Sequence, residues 1–385
     1  MKLQYTKASI GRVESLAQAI STDTESLIRI TSDADKYFDL KERKEKPNGT
    51  YRDIYAVRSP LKDIQVRIVK QIIHGVDYPM YLQGSIKDRA HPRSDIANAQ
   101  LHVNRRLVIR MDITNFFPSV RVVQVLSIWK NFFRFSPDVS SLLADLTTLD
   151  GFLPQGAPTS PGLANLVFWD VEPGVVDRLE KEGFYYSRYV DDVTISTDNF
   201  VEMRHLESII SRVFGMFKMK NVLPNRDKLK ILTNSHALQV HNLNVNAERP
   251  TMPKIERSKI RAAVKNCEEM ALGRGRYAKA YEKLWLQTSG RVQRMMLLHY
   301  RVADKYRYRL EAISPMVPQD MIVFLEQKLA SLEAMAMNYR YTQKYRQKHQ
   351  FVYRMVQRKM QFEPESLRSL WLRLKGLPAP SLAIQ

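Results

Sequence analysis

FYYSRYVDDVTIST, at residues 184–197, is the stretch of sequence that decides the fold. Apolar and aromatic residues flank the pair Asp191-Asp192, a pattern that predicts two strands joined by a tight acidic turn. Adjacent carboxylates in an apolar hairpin repel each other, and burial makes their charge costly unless a partner or a metal offsets it. Aspartate is also common in ordinary solvated turns, so this stretch alone leaves that simpler interpretation open.

A third acidic residue closes a second apolar stretch upstream. RLVIRMDI, at 106–113, predicts a buried central strand with Asp112 near its end. A divalent cation would offset the cost of three such carboxylates, whose oxygens favour Mg²⁺ or Mn²⁺. In a basic protein this acidic group indicates metal-assisted phosphoryl transfer on nucleic acid, in which two ions ~3.5–4 Å apart activate the attacking hydroxyl and stabilise the leaving oxygen.

The charge of the chain indicates a polyanionic partner. Its 385 residues carry 60 Lys and Arg against 40 Asp and Glu, a formal net charge of +20. From Thr251 onward there are 26 basic and 11 acidic residues, so this part holds most of the surplus. Phosphate neutralisation with counterion release makes nucleic acid the favoured partner.

Composition excludes several classes of protein. The single cysteine, Cys267, excludes an internal disulfide and a cysteine-based zinc site. No apolar run approaches the ~20 residues of a membrane-spanning helix, and the N-terminus lacks the apolar core of a secretion signal. We therefore expect a cytoplasmic protein without a membrane partner.

Hydrophobic periodicity predicts the organisation of the chain. Residues 1–45 are predicted to form a helical segment, and a turn at 46–49 leads into an α+β region that ends near residue 250. Beyond it we expect long basic helices, among them one over 290–313 and a pair over 318–360.

Three segments together resemble the palm of a reverse transcriptase. They are the tetrad Tyr189-Val190-Asp191-Asp192, DITNFFPS at 112–119, and LPQGAPTSP at 153–161. Their order and spacing match that family, and the resemblance covers residues 45–310. It implies an α+β right-hand polymerase with fingers and palm that contain an antiparallel palm sheet (46–250) and an α-helical thumb (251–315). Outside the resemblance, the sequence pattern predicts a helical N-terminal segment (1–45) and a basic helical C-terminal extension (316–385).

The resemblance implies a role for each acidic residue. Asp112, Asp191 and Asp192 would be the catalytic residues. Asp112 and Asp191 would hold two Mg²⁺ ions, with Mn²⁺ as a substitute. Asp192 would lie adjacent, and the main-chain carbonyl of Ile113 would assist.

The same resemblance implies contacts to the incoming nucleotide. Phe117 corresponds to a bulky ring beneath the sugar, which would clash with a 2′-hydroxyl and so select deoxynucleotides; core packing is the alternative for this ring. Gln155 and Gly156 would line the nascent base pair, and Gly156 would allow a close approach of the backbone.

Basic residues would complete the nucleotide site. Arg52 resembles the arginine that meets the triphosphate, because guanidinium suits a bidentate phosphate contact. Lys46 and Lys87 are looser candidates for this position. Lys228 resembles the lysine near the leaving pyrophosphate.

Two further segments bear on the type of reverse transcriptase. NAQLH at 98–102 resembles the NAxxH element of bacterial retron enzymes, which copy part of their own structured RNA. Where retrons usually carry Val-Thr-Gly-Leu for RNA recognition, this chain has Val240-His241-Asn242-Leu243. The first and last residues remain, and the replaced centre leaves open a divergent RNA contact. Asn98, His102, His241 and Asn242 are therefore candidates for RNA or DNA binding, and a structural histidine with satisfied hydrogen bonds is the alternative for His102.

The C-terminal third supplies further candidates for nucleic-acid binding. NYRYTQKYRQKHQFVYRMVQRKM, at 338–360, has seven Lys or Arg, five aromatic residues and no acid. Phosphate contacts with ring stacking on unpaired bases is one interpretation, and an amphipathic helix with packed rings is the other. The candidates here and in the thumb are Arg291, Arg294, Arg340, Lys344 and Arg346.

Three functions stay open from the sequence. The favoured one is a retron-type enzyme that uses dNTPs, copies a structured noncoding RNA that also primes synthesis, and keeps the RNA-linked DNA bound, in antiphage defence with an effector protein supplied in trans. The second is another defence-associated reverse transcriptase that makes repetitive or long DNA from a short RNA template. The third is a non-catalytic RNA-binding scaffold. A group II intron enzyme is disfavoured, because the C-terminal region has no paired Cys/His pattern of a nuclease domain.

Overall fold

The computed structural model describes residues 3–45, 49, 51–235, 237–273 and 275–378, without the side chain of Gln343. Most of the predicted turn at 46–49, including Lys46, lies outside these residues. The chain divides into two compact units, Met1–Thr251 and Met252–Gln385. Within the described residues, no helix has both the length and the apolar character needed to cross a membrane.

The first unit begins with strand β1 (Gln4–Tyr5) and helices α1 (Val13–Ala19) and α2 (Thr24–Ser32). The expected helical segment ends earlier than residue 45, because Phe38–Glu45 forms strand β2 and pairs with strand β3 (Tyr51–Val57) in an antiparallel hairpin. FDLKERKE is rich in helix-forming residues, but pairing with β3 overrides this local propensity.

The remaining elements of the first unit alternate between helices and short strands. In chain order they are α3 (Leu61–Gln71), β4 (Val76–Asp77), β5 (Leu82–Gln83), α4 (Asp95–Gln100), β6 (Leu107–Asp112), α5 (Phe116–Ser119), α6 (Val122–Ser127), α7 (Pro137–Thr147), α8 (Ser160–Leu166), α9 (Glu172–Lys181), β7 (Phe184–Tyr189), β8 (Asp192–Thr197), α10 (Met203–Met219), β9 (Lys230–Thr233), β10 (Gln239–Val240) and β11 (Leu243–Asn244).

A five-stranded sheet in the order β5-β7-β8-β6-β9 positions the acidic residues. Its four strands β7, β8, β6 and β9 are antiparallel, and the edge strand β5 runs parallel to β7. The predicted central strand is β6, which lies between β8 and β9. Ile109, Val193 and Ile195 are fully buried in these strands and form part of the core of this unit.

The second unit is helical in its described residues. Its helices are α11 (Lys254–Met270), α12 (Lys279–Leu297), α13 (Val302–Ala312), α14 (Gln319–Tyr339), α15 (Gln343–Met360) and α16 (Pro364–Gly376). The single helix expected over 290–313 is two helices, because the chain turns after Leu297 and His299 adopts a left-handed φ of +57°. The sequence prediction did not include α16, whose buried leucines join those of α14 in a separate core.

Candidate active site

Strand register brings the three acidic residues together at one end of the sheet. Asp112, the last residue of β6, is the cross-strand partner of Asp192, the first residue of β8. The N–H of Ile113 donates to the main-chain oxygen of Asp191 at 3.2 Å. Directly opposed residues in an antiparallel pair have their Cβ atoms ~4.5–5.5 Å apart, so the carboxylates share one small region.

Crowding and burial perturb these carboxyl groups. Asp112 is 7% exposed, and Asp191 and Asp192 are half-buried. Burial and the charge of Asp112 raise the pKa of Asp191. Burial, followed by the charges of Asp191 and Asp112, raises the pKa of Asp192 to about 7. The site therefore carries negative charge that is costly without a positive partner.

Two side chains from one short segment neutralise part of this charge. The Lys228 Nζ lies 2.9 Å from the Asp112 Oδ2, and the Asn225 Nδ2 donates to the same oxygen at 3.1 Å. The Asn225 N–H also donates to the main-chain oxygen of Asp112 at 2.7 Å. The sequence interpretation included Lys228 but missed Asn225, which stands three residues earlier, just before a 3₁₀ turn at Arg226–Lys228.

Arg110 is a second residue that the sequence interpretation missed. Its charge acts on Asp192 and opposes the rise in the pKa of that carboxyl. Arg110 precedes Asp112 by two residues in β6, and residues two apart in a strand face the same side of the sheet. Strand periodicity was therefore the signal that could have identified it.

A divalent cation such as Mg²⁺ takes oxygen ligands, and the carboxylates at this end of the sheet are the candidate ligands. Among the residues that the structure describes, no group of three or more His, Cys, Asp or Glu side chains is arranged to hold a metal ion by itself. The pair Asp112 and Asp191 nevertheless fits Mg²⁺, which is usually bound by one or two carboxylates together with water and substrate phosphates. Burial is the main cause of the raised pKa values of Asp191 and Asp192, and the neighbouring carboxylates add to it, so a bound cation would relieve this cost.

Phe117 lies close in sequence to Asp112, at the start of α5. Asn115, the residue before this helix, has a left-handed φ of +47°. Phe116 is buried and stacks on Phe168 with ring centroids 5.9 Å apart, whereas Phe117 is only partly buried and packs at the margin of the core. Of the two neighbouring rings, Phe117 is the one that retains an exposed surface.

The segment with Gln155 and Gly156 is fastened to β3. The Tyr55 N–H donates to the Gln155 main-chain oxygen at 2.8 Å. Gly156 has a φ of +110°, and a Cβ there would lie 2.3 Å from the Tyr55 oxygen. The close approach that this glycine allows is therefore an approach to the β2–β3 hairpin. Arg52 on β3 is exposed, and its charge opposes the rise in the pKa of Asp191.

The NAxxH residues occupy the interior of the protein. His102 is fully buried, and its Nδ1 and Nε2 lie 2.8 Å from the Ser196 Oγ and 2.7 Å from the Ser187 Oγ. Burial, with smaller effects of Arg105 and His241, lowers the pKa of His102 to about 3. His102 thus joins β7 to β8 as a neutral side chain. The expectation that it contacts RNA is corrected, because no part of it reaches the surface.

Asn98 and His241 form a second internal contact. Asn98 is fully buried, with its Nδ2 2.7 Å from the His241 Nε2, and the His241 ring lies 4.7 Å from the Tyr189 ring. The expectation of a direct RNA contact is corrected for Asn98 as well. His241 and Asn242 have φ values of +48° and +61° and form the turn between β10 and β11. Both central residues of this turn have a positive φ, a conformation that Asn and Gly favour in two-residue hairpin turns.

The basic candidates of the second unit differ in exposure. Arg291, Arg340 and Lys344 are exposed, whereas Arg294 and Arg346 are half-buried. The aromatic residues of this region divide in the same way. Tyr345 is fully buried, and its hydroxyl donates to the Pro378 oxygen at 2.9 Å, whereas Tyr339 and Tyr341 are at least half exposed. One ring of the 338–360 segment is therefore packed in the interior of this unit, and two others remain accessible.

Comparisons with known proteins identify the family. The family described as "Reverse transcriptase (RNA-dependent DNA polymerase)" matches residues 43–255. The Retron Se72 reverse transcriptase of Salmonella heidelberg (strain 579083-10) is 34% identical over 344 residues, which cover 88% of this chain and 87% of that protein. The Retron Ec48 reverse transcriptase of Escherichia coli is 30% identical over 347 residues, which cover 86% and 83%.

A more distant likeness is found among solved structures. A telomerase from Candida albicans aligns with a TM-score of 0.39 at 8% identity, over 92% of this chain and 68% of that one, which is too weak to support an argument. The family match and the two retron relatives extend over most of the chain, including the acidic end of the sheet. The chain belongs to the reverse transcriptases, as an RNA-directed DNA polymerase of the bacterial retron type.

Proposed function

We propose that this enzyme copies part of a cognate structured noncoding RNA into DNA that stays linked to that RNA, by two-metal phosphoryl transfer, and that it acts in antiphage defence. The single observation that carries the catalytic part is the pairing of Asp112 with Asp192, with Asp191 bonded to Ile113 beside them. The retron relatives support the choice of product.

The acidic residues have separate roles in this proposal. Asp112 and Asp191 hold two Mg²⁺ ions, Asp192 adds negative charge beside them, and the Ile113 carbonyl assists. When bound, the ions lower the pKa of the attacking 3′-hydroxyl and stabilise the charge on the leaving oxygen. Asn225 fixes the orientation of the Asp112 carboxylate through its 3.1 Å bond. Lys228 compensates the Asp112 charge at 2.9 Å, and in this proposal its ammonium also meets the leaving pyrophosphate.

The nucleotide would be bound from the β2–β3 side. In this assignment the β2–β3 hairpin belongs to the fingers, the five-stranded sheet is the palm, and α11–α13 form the thumb. Arg52 contacts the triphosphate, Gln155 and Gly156 line the nascent base pair, and Phe117 blocks a 2′-hydroxyl. The partial exposure of Phe117 and the effect of Arg52 on Asp191 support these roles.

The RNA would be bound by surfaces outside the catalytic sheet. We assign this role to the exposed Asn242 and the half-buried His241 in the turn of β10–β11, and to exposed basic and aromatic side chains of the second unit, which are Arg291, Arg340, Lys344, Tyr339 and Tyr341. Arg294 and Arg346, which are half-buried, are further candidates. An effector protein supplied in trans would turn the RNA–DNA product into a defence response.

Primer extension tests the catalytic part of the proposal. The purified protein is given a synthetic RNA template, a DNA primer, dNTPs and Mg²⁺, with Asp191→Asn as the control. We expect extension by the natural protein and a loss of at least about 10³-fold in the variant, which removes a charge from the cation site. Equal extension by both proteins would exclude Asp191 from catalysis.

Sequencing of bound nucleic acid tests the product. The protein is expressed together with its neighbouring genomic DNA and purified, and the attached nucleic acid is sequenced before and after RNase treatment. A discrete DNA of fixed ends, attached to RNA before treatment, supports the retron product. Long or repetitive DNA would favour the second function instead. Loss of phage resistance in the Asp191→Asn strain would link the activity to defence.

A further inference from the structure

Arg188 is a buried charge within the strand that leads to the catalytic turn. It is 0% exposed, and its guanidinium forms a bidentate pair with Glu172 of α9, with its Nε 2.6 Å from the Oε1 and its Nη2 2.8 Å from the Oε2. The Tyr186 hydroxyl donates to the same carboxylate at 2.7 Å. A buried ion pair of this kind is a weak source of stability, because the desolvation of both ions offsets their attraction. Stability alone therefore does not explain this ion pair.

The remaining donors of Arg188 reach main-chain oxygens on two elements. Its Nη2 donates to the Asn165 oxygen of α8 at 2.9 Å, and its Nη1 donates to the Val190 oxygen at 3.0 Å. The Val190 oxygen belongs to the peptide unit that joins Val190 to Asp191. Arg188 thus ties the orientation of this peptide to two helices of the core.

The peptide that Arg188 holds lies in a strained turn. Val190 has a φ of +59°, and the left-handed region is unfavourable for a β-branched residue. On the other side of Asp191, its main-chain oxygen accepts the Ile113 N–H. The two peptides that flank Asp191 are therefore each fixed by a bond from outside the turn.

We infer that Arg188 is a positioning residue, which holds the strained Val190 peptide so that the Asp191 carboxylate stays opposite Asp112. This inference rests on the proposed function of Asp191. A displacement of about 1 Å in a catalytic group can cost about 10²-fold in rate. The bidentate pair with Glu172 is then the anchor that fixes the guanidinium, and the bond to Val190 is the contact that matters for the reaction.

The first test compares Arg188→Lys with Tyr186→Phe. Lysine keeps the charge opposite Glu172, but one ammonium cannot reach acceptors that lie in three directions. Tyr186→Phe removes a bond from the same buried network and leaves the turn untouched. We expect Arg188→Lys to lower the kcat of single-nucleotide extension about 10- to 100-fold, with the KM for dNTP changed less than about threefold. Tyr186→Phe should keep kcat within about twofold of the natural protein once both are corrected for the folded fraction.

A second variant covers the case in which Arg188→Lys does not fold. The double change Arg188→Met with Glu172→Met replaces the ion pair by apolar side chains, an exchange that is often neutral or stabilising. If Arg188 positions the turn, this protein melts near the natural temperature but shows the same loss of kcat. Natural kcat in this folded protein, or in a folded Arg188→Lys, would overturn the inference.

Rescue by glycine gives the sharpest result. Glycine enters the left-handed region without strain, so Val190→Gly lets the turn keep its shape without the bond from Arg188. We expect Val190→Gly to restore kcat at least about fivefold when added to the Arg188 variant that folds. Loss of activity that follows only the folded fraction, without rescue, would assign Arg188 a merely structural role. If natural protein and Asp191→Asn extend the primer equally, the proposed function fails, and that result is distinct from these.

Discussion

At the acidic end of the sheet the three carboxylates are buried or half-buried, and Asp112 has fixed partners, whereas helix α15 carries exposed charges such as Lys344 and Arg354. Asp112 is bonded to both Asn225 and Lys228. On α15, Lys344 is exposed, and the C-terminal pair Arg358 and Lys359 meets the carboxylate of Glu282. Charges in a low-dielectric site interact strongly and specifically, whereas exposed charges are screened by salt and are individually weak.

This difference in burial separates two kinds of charge in a protein whose net charge is +20. In the proposed function the acidic residues act one by one at fixed positions, so each should be indispensable. The basic residues would act together on a polyanion, so each should contribute a small, salt-dependent share. The predictions below test this difference, from the largest expected effect to the smallest.

The largest effect is expected for Asp112→Asn. This change removes a charge from the proposed cation site and should lower primer extension at least about 10³-fold, because several kcal/mol of transition-state stabilisation are lost. Asp198→Asn is the matched control, since Asp198 follows the opposite end of β8, is exposed, and pairs with Arg105. The control should extend normally. Comparable losses in both variants would show that negative charge anywhere on this sheet, rather than at the site, is what matters.

A smaller effect is expected for Phe117→Val. Removal of the ring should relieve the clash with a 2′-hydroxyl and raise ribonucleotide incorporation relative to deoxynucleotides about tenfold, which is ~1.4 kcal/mol in transition-state energy. Phe116→Leu in the same helix is the control, because that ring is buried against Phe168 and should affect stability alone. The measurement is the ratio of kcat/KM for a deoxynucleotide to kcat/KM for the matching ribonucleotide, in each variant. An unchanged ratio in Phe117→Val would assign that ring to core packing.

The third prediction concerns acid stability. The pKa of His102 is about 3 in the folded protein, below its ordinary value of 6.5, so between these values the unfolded chain binds a proton that the folded chain does not. The contribution of His102 to the free energy of unfolding is therefore fully present above pH 6.5 and decreases as the pH falls towards 3. Between pH 7 and 5.5 this loss is about 1.3 kcal/mol.

His102→Gln isolates that contribution, because an amide can still bridge the two serines but does not titrate. Urea unfolding at both pH values should show a smaller pH dependence in the variant by about 1 kcal/mol. Other titrating groups, Asp192 among them, are present in both proteins and cancel in the difference. An identical pH dependence in the two proteins would mean that the pKa of His102 does not differ between the folded and the unfolded chain.

The smallest effect is expected on the basic helices. Arg340→Gln with Lys344→Gln should weaken RNA binding a few-fold at moderate salt and lower the slope of log K against log salt by about 1–2, because two phosphate contacts are removed. Lys181→Gln with Arg204→Gln removes the same charge from exposed helical positions of the first unit. Equal slopes in the two double variants would show that net charge alone attracts the RNA.

Local patterns were sufficient for much of the first unit. β6, β7 and β8 follow from apolar runs, and α3 and α10 from helical periodicity, because each of these signals lies within a few residues. Patterns failed where a distant partner decided the outcome. The FDLKERKE segment forms a strand because β3 pairs with it. The helix expected over 290–313 is interrupted at His299, whose left-handed conformation no local motif predicts.

The candidate site divides in the same way. Asp112, Asp191 and Lys228 could be named from motifs, since their types and spacing are what the chemistry requires. The burial of Asn98 and His102 could not be predicted from motifs. A polar residue in a motif looks the same whether its partner is RNA or a serine of the sheet. Only the packing of α4 against the sheet settles that question.

The sequence by itself determined the three acidic residues, the strands beside them and the family. Apolar runs, the charges at their ends and short motifs are all local properties of the chain. The tertiary structure alone decided that Asp112 faces Asp192 and that Arg188 reaches the Val190 oxygen. Those contacts join residues from separate elements, and their geometry depends on strand register and on helices packed behind the sheet. A hydrogen bond needs its atoms within a few tenths of an ångström, and only the folded chain sets distances so closely.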